Sequence, residues 1–545
     1  MESINLTWFI PILIVFLGVM AFLAWLGYKQ TKSAKDYLVA GGNVNPYMMA
    51  LSYGAAFIST AAIVGFGGLS GKFGLHLMWV VFLNIAIGIV VAYLVFGKRM
   101  RQMGRNLGTS TFSEFLGKRF DSRFSQWFSA GVIFIFMPLY AAAVMRGAAE
   151  FMTPIFNVGI EWLALIYIVI VAVYVIFGGL KGVIYSDSFL GSVMLVSMVI
   201  LVAFVYQQLG GISSAHSQLT DLVSKVPTDQ LMLNAEKGIS MFDLGFKGWT
   251  AFPVFNSEFW WLSVSTLMMG IGVGVLAQPQ LLVRFMTVRK NKDLNRALLV
   301  GGIFILIVVG GAYVAGALSN VFFFNETGTI AVKSVPGGNI DLIIPTFIKT
   351  YMSPAFLYIF FLTLMAAGIS TSAAQFHTIG TALGKDIYED NVAHTNPEAS
   401  KNSLVWKRVG IAVAIIFTYV LGILILPKGI VGIGTAFFFS IAAATFLPAV
   451  IGGLFWRRTT KQAANWSMIL GLFSSILWSV LFNAKVSGAF GITPVFNYAP
   501  WTYIEPGAIG LVISILTLFI VSMATKPPPK EHVETCFSKA EAQND

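Results

Sequence analysis

A chain of 545 residues that is 57% hydrophobic and 11% charged, with a mean hydropathy of +0.79, is too apolar for a water-soluble domain, which would be near a quarter charged. The formal charge of +11 does not indicate nucleic acid, because the basic residues fall between hydrophobic runs, where cytoplasmic loops of a polytopic membrane protein collect them. The single cysteine, Cys536, excludes a disulfide framework and a Cys/His metal cluster, and no paired carboxylates, nucleophile constellation or phosphate loop points to an enzyme.

Apolar windows of about 20 residues, the length of a bilayer crossing, fall at 6–27, 47–70, 74–96, 124–153, 157–178, 185–208, 259–286, 294–318, 354–382, 403–426, 430–454, 463–484 and 505–525, thirteen in all. The fold class is therefore an all-α polytopic membrane protein. The first span has no basic residue before it and Lys29, Lys32 and Lys35 after it, the reverse of a signal peptide, so it is expected to be retained with its N-terminus outside. That orientation places most Lys and Arg in cytoplasmic loops, the densest running from Lys98 to Arg123, and the C-terminus in the cytoplasm. The chain then divides into a first helix and loop (1–46), five helices (47–208), an external loop (209–258), five more helices (259–454), two C-terminal helices (455–525) and a polar tail (526–545). The external loops 209–258 and 319–353, with the apolar patches Trp260-Trp261 and Val321–Phe324 beside or within them, are expected to lie on the membrane surface or cover an outer vestibule.

Spans two and seven are poor helices. Span two has small residues through its middle and glycine at its outer end; span seven alternates Gly270, Gly272 and Gly274 before Gln278-Pro279. Glycine loses backbone entropy and proline removes a donor, and inside a membrane such a break survives only where it is buried in protein or lines a cavity. The two sit five spans apart, each opening a set of five, which predicts a five-plus-five inverted repeat (spans 2–6 and 7–11) with a midplane site. Span nine carries three adjacent hydroxyls, Ser370, Thr371 and Ser372, within Leu364–Ala374. They either bond back to the preceding turn in a tight helix contact or join carbonyls freed by a partner's break in a neutral oxygen cage for a small hard cation.

Four stretches resemble the sodium:solute symporter family: Asp36–Gly42 before span two, Gly178–Asp187 entering span six, Arg284–Val288 after span seven, and Asp386–Tyr388 after span nine. The resemblance covers spans two to ten or so and is shared with sodium/proline, sodium/monocarboxylate and sodium/galactose symporters. It implies a LeuT-like fold and alternating access at the cell membrane, with sodium ion driving import of a small-molecule substrate and no obligate protein partner. Carried over residue by residue, the sodium site falls on Ala55, Ile58 and Ala367 through carbonyls and on Ser370 and Thr371 through hydroxyls, with Ser372 left to packing. Neutral oxygens suit a monovalent ion that must also leave. Asp187 matches an aspartate on the sodium exit path; alternatively it is a carboxylate at the N-terminus of span six beside Ser186.

The substrate pocket is expected between spans two, four, seven and eleven, near Tyr53, Phe57, Tyr140, Gly274 and Gln278, with Phe438 close by. Phe57 stands where proline symporters carry aspartate, Ala61 and Ile271 where they carry tryptophan, and Gly274 and Ala62 where galactose-type relatives carry tyrosine and glutamine. An apolar, aromatic pocket with few polar groups fits a monocarboxylate or compact amino acid better than a sugar. A sodium/sugar symporter, a proton-coupled transporter using Asp187, a channel and a transporter-like sensor are the alternatives. Arg146 and Glu150, four apart in span four, are expected to pair, and His76 and His377 to be structural.

Overall fold

The computed structural model describes residues 6–30, 38–42, 44–234, 238–288, 290–389, 403–426, 431–483, 487, 492–496, 498 and 500–538. Lys32, Lys35, Asp36 and Tyr37 lie outside them. In chain order the helices are α1 (Leu6–Gln30), α2 (Pro46–Phe57), α3 (Ala61–Phe73), α4 (Leu75–Asn106), α5 (Phe112–Phe120), α6 (Arg123–Phe156), α7 (Ile160–Gln208), α8 (Ile212–Lys225), α9 (Glu258–Ala277), α10 (Pro279–Leu282), α11 (Asn291–Thr327), α12 (Ile343–Tyr351), α13 (Pro354–Glu389), α14 (Ser403–Val420), α15 (Val431–Phe455), α16 (Lys461–Leu481), α17 (Pro506–Ala524) and α18 (Lys530–Phe537). Among the described residues, 11 helices are long and apolar enough to cross a membrane, and 12 when α2 and α3, bent by 59°, count as one broken span.

Both breaks have local causes. Asn45 caps α2 through the Tyr47 amide at 2.9 Å with Pro46 behind it, and the helix ends where Ile58 turns extended (φ −87°, ψ 103°). In span seven the alternating glycines are not the break. Gly270–Gly274 is helical, and the chain turns extended only at Gln278 (φ −77°, ψ 111°), ahead of Pro279. The glycines serve close approach instead: a methyl on Gly274 would sit 2.6 Å from the Phe439 carbonyl of α15.

The assigned run of α7 joins predicted spans five and six without a gap. On a straight helix Tyr167 and Ser197 would stand ~45 Å apart at ~1.5 Å per residue, yet they touch Ser372 and Thr363, which the same rise separates by only ~14 Å on α13. The run therefore doubles back, and α1 packs on both arms, with Phe16 against Phe189 at 6.1 Å and Leu17 and Ala24 beside Val169 and Val173. Its first arm holds a shorter apolar helix, Ile160–Val173.

One loop expectation needs revision, and two segments hold structure that the sequence did not show. Val321–Phe324 belongs to α11, which runs to Thr327 and stops at Gly328 in the left-handed region (φ 70°), so the external segment starts later than residue 319. The loop 209–258 holds α8 and a short antiparallel pair, β1 (Met232–Asn234) with β2 (Ile239–Ser240). The polar tail forms α18, docked on the protein. The centre of the bundle is clear from burial: 89% of the apolar window of α15 and 83% of that of α13 are buried, against 17% for α1 and 28% for α17. Polar groups on α13 and α15 therefore face protein.

Candidate functional site

The break at Ile58 ends the backbone ladder of α2, and α13 crosses it there. The Ser370 hydroxyl donates to the Ala55 carbonyl at 2.8 Å and lies 3.2 Å from the Ala367 carbonyl; the Thr371 hydroxyl reaches the same Ala55 oxygen at 3.4 Å. Ala55, Ile58, Ala367, Ser370 and Thr371 are all fully buried. Ser372 points the other way, to the Tyr167 hydroxyl at 2.9 Å. Two hydroxyls and two carbonyls from two helices thus converge without a carboxylate. Just beyond, Thr60 donates to the Val144 carbonyl at 2.5 Å and ties the break to α6.

Asp187 does not begin a helix. It lies within α7, and Ser186 beside it turns back to the Gly182 carbonyl at 2.5 Å, so a helix N-terminus plays no part in holding it. Its Oδ2 accepts from Arg284 Nη2 and from the Ser52 hydroxyl, both at 2.9 Å; Arg284 also donates through Nε to Ser52 at 3.2 Å and through Nη1 to the Gln280 carbonyl at 2.8 Å. The pair is almost completely buried and joins α7, α2 and the segment after the second break. Arg284 entered the sequence reading only within a signature; an intramembrane arginine needing a counter-charge was the signal to look for.

Above the break, Phe57, Ser59, Ala62 and Phe66 face Asn84, Tyr140, Ile271, Val309, Tyr313, Thr435 and Phe439 around a cavity with room for about one water-sized sphere. Tyr140 stacks on Phe438 at 5.5 Å, meets Phe439 edge-on at 5.2 Å, and shares a hydrogen bond with Ser59. Of the expected pocket residues, Phe57 and Tyr140 line this space, and Gly274 abuts Phe439 behind it. Tyr53 and Gln278 stand outside it. The Tyr53 hydroxyl donates to the Gly88 carbonyl at 3.0 Å in a cluster with Tyr93 and Phe285, while Gln278 bonds to the Gly274 carbonyl at 3.0 Å and accepts from Gln280. The residue the sequence reading missed is Asn84, whose buried Oδ1 has no hydrogen-bond partner. Its signal was a lone amide within the apolar stretch that starts at Met78.

Arg146 and Glu150 pair at 3.5 Å, and Arg146 also donates to the Gly422 and Leu426 carbonyls while Asn339 donates to Glu150. His76 contacts Ser263 at 2.8 Å. Among the described residues no three His, Cys, Asp or Glu side chains gather as a metal site.

The model of the sodium:solute symporter family matches residues 37–471. The osmoregulated proline transporter OpuE of Bacillus subtilis (strain 168) is 26% identical over 530 residues, 95% of this chain and 96% of that one. A sodium/pantothenate symporter of Haemophilus influenzae is 26% identical over 486 residues, 88% of this chain and 91% of that one. In fold, the chain is similar to a substrate-bound, outward-open Na+-coupled sialic acid symporter, with a TM-score of 0.73 at 18% identity over 95% of this chain and 98% of that one. The chain belongs to the sodium:solute symporter family, multi-pass membrane transporters that couple a small solute to sodium and are not enzymes.

Proposed function

We propose that this symporter imports a monocarboxylate or compact amino acid by alternating access, with sodium held between the broken second span and α13. The observation that carries the ion site is the convergence of the Ser370 and Thr371 hydroxyls on the Ala55 carbonyl at the break. Turning each hydroxyl's lone pair toward the ion, with the carbonyls of Ala55, Ile58 and Ala367, gives five neutral oxygens. Such a set suits a hard monovalent cation and still releases it. Asp187, a few residues along α2 from this set through Ser52, is read as the exit-path carboxylate, gated by Arg284.

Counting α2 with α3 and the first arm of α7 as crossings gives thirteen spans, with a five-plus-five repeat opened by the two broken helices. The reading places the N-terminus outside and the C-terminus in the cytoplasm of a cell membrane. The cavity wall supports the substrate class: no charged side chain, mostly aromatic and aliphatic surface, and five polar groups in Ser59, Asn84, Tyr140, Tyr313 and Thr435. A sugar would leave most of its hydroxyls unpaired there. A single carboxylate asks for fewer polar partners than a sugar does. The relatives named for proline and pantothenate also handle substrates with one carboxylate.

The test is uptake into proteoliposomes across a panel of carboxylates, amino acids and sugars, with and without sodium. Ser370→Ala and Thr371→Ala should each raise the sodium concentration for half-maximal uptake roughly 5- to 30-fold, the loss of about 1–2 kcal/mol per ligand. Exchange of sugars alone would remove the substrate class, and an unchanged sodium dependence in both variants would remove the ion site.

A further inference from the structure

Far from the transport site, Arg119 at the end of α5 is fully buried. Its Nε donates to the Gly453 carbonyl at 2.7 Å and its Nη2 to the Trp456 carbonyl at 3.3 Å; Nη1 has no partner, and no carboxylate pairs with the guanidinium among the described residues. Its flat faces are covered by Phe120 and Phe537, each 5.2 Å from the guanidinium carbon. A buried cation satisfied only by neutral groups carries an uncompensated charge, which is costly unless an anion completes it.

Arg119 lines a pocket of about 170 Å³ that it shares with Lys461, Lys526 and His532. The pocket sits at the N-terminus of α16, a 21-residue helix whose Thr460 hydroxyl caps only the Ala463 amide. The amides of Lys461 and Gln462 belong to the first turn, which lacks acceptors within the helix. The hydroxyls of Thr460 and Thr525 touch at 2.7 Å, which brings the two lysine-bearing segments side by side. One acidic side chain, the exposed Asp121, shares the rim. The far wall is the C-terminal tail, where His532 Nε2 contacts the Arg119 carbonyl at 3.0 Å, and Gln102 and Asn106 hold the Ser538 carbonyl at 2.7 and 3.1 Å.

We propose that this pocket binds a phosphate-bearing anion, joining the start of α16 and the C-terminal tail across Arg119. The chemistry fits point by point: tetrahedral oxygens suit a guanidinium nitrogen, two ammonium groups and helix amides arriving from different sides. The site lies outside the transport cavity, so it neither needs nor tests the substrate reading.

The experiment is thermal unfolding of the full chain in neutral detergent, titrated with inorganic phosphate at constant ionic strength. The expected result is a saturable rise in melting temperature, weakened at least tenfold in apparent affinity in the Lys461→Gln/Lys526→Gln double variant and kept in Lys290→Gln/Lys292→Gln. Both changed lysine pairs are outside the transport site, and sodium-dependent uptake by each variant reports that the fold is intact. A second arm compares nanodiscs of phosphatidylcholine with and without phosphatidic acid. Stabilisation by the lipid alone assigns the phosphate to a headgroup; stabilisation by free phosphate assigns a soluble ion or ester. If neither stabilises the wild-type chain, or if the double variant responds as wild type does, the site is refuted.

Discussion

The buried pair of Asp187 and Arg284 gives the sharpest quantitative test. At 2.9 Å, with an effective dielectric of about 20, two unit charges attract by about 6 kcal/mol before desolvation is subtracted. Removing one partner strands the other where neither side chain is more than 1% exposed, a situation that typically costs about 3–5 kcal/mol. Asp187→Asn and Arg284→Gln should each lower the unfolding free energy by roughly that amount. The double variant removes the charge that each single change orphans, so it should lose at least ~2 kcal/mol less than the sum of the two. Ser52, which accepts from Arg284 and donates to Asp187, can reorient to serve either neutral amide. The assay is unfolding by SDS titration in mixed micelles for the four proteins of the cycle. Strictly additive losses would mean that the pair is not coupled, and the gate assigned to it would fall with it.

Two further outcomes rest on packing and on pH. A methyl on Gly316 of α11 would overlap the Gly67 carbonyl of α3, so Gly316→Ala should destabilise by roughly 1–3 kcal/mol, whereas Gly18→Ala, with open space around it, should not; matched melts decide it. Burial alone would raise the Glu114 carboxyl, but Lys385 at 2.5 Å, Lys118 at 2.9 Å and the Ser110 amide outweigh it and hold the group below its usual value of 4.5. A carboxylate with a depressed folded pKa contributes stability that is fully present above its unfolded pKa and is lost as pH falls through the folded one. The melting gap between wild type and Glu114→Gln should therefore be open at neutral pH, worth roughly 1.5–3 kcal/mol, and close below about pH 4.5. A gap that stays constant across that range would show that the contribution is not electrostatic.

The fold was legible where composition and rhythm dictate it. Twenty apolar residues can do little but cross a bilayer, and Gln278-Pro279 cannot continue a helix. The hydroxyls of Ser370 and Thr371 were legible because polar groups in an apolar run need a reason to be there. Asp187 was noticed through the family resemblance, but its partner was not, since the 97 positions that separate it from Arg284 are bridged only by the tertiary fold. Asn84 was lost among apolar neighbours for want of a companion polar residue nearby in sequence. The Gly270–Gly274 repeat misled in a different way: glycine marks either a bend or a close contact, and only the position of α15 tells which. The docked tail helix was unreadable because its hold on the protein is made by residues more than 400 positions away, such as Gln102 and Arg119.

The break at Ile58 divides one crossing into two parts that share α11 as a support, and only the first is also tied to α7. The part before it is tied to α7 through Ser52 and Asp187 and packs on α11 through Gly54 against Phe304; the part after it packs on α11 through Gly67 against Gly316 and through Ser70, whose hydroxyl donates to the Tyr313 carbonyl at 2.8 Å. The extended backbone at Ile58 is the joint between them. On one side of that residue stands the Ala55 carbonyl, against α13; on either side of it Phe57 and Ser59 form the wall of the cavity. One joint thus sets two fittings, and a change of angle cannot reach the first without also moving the second.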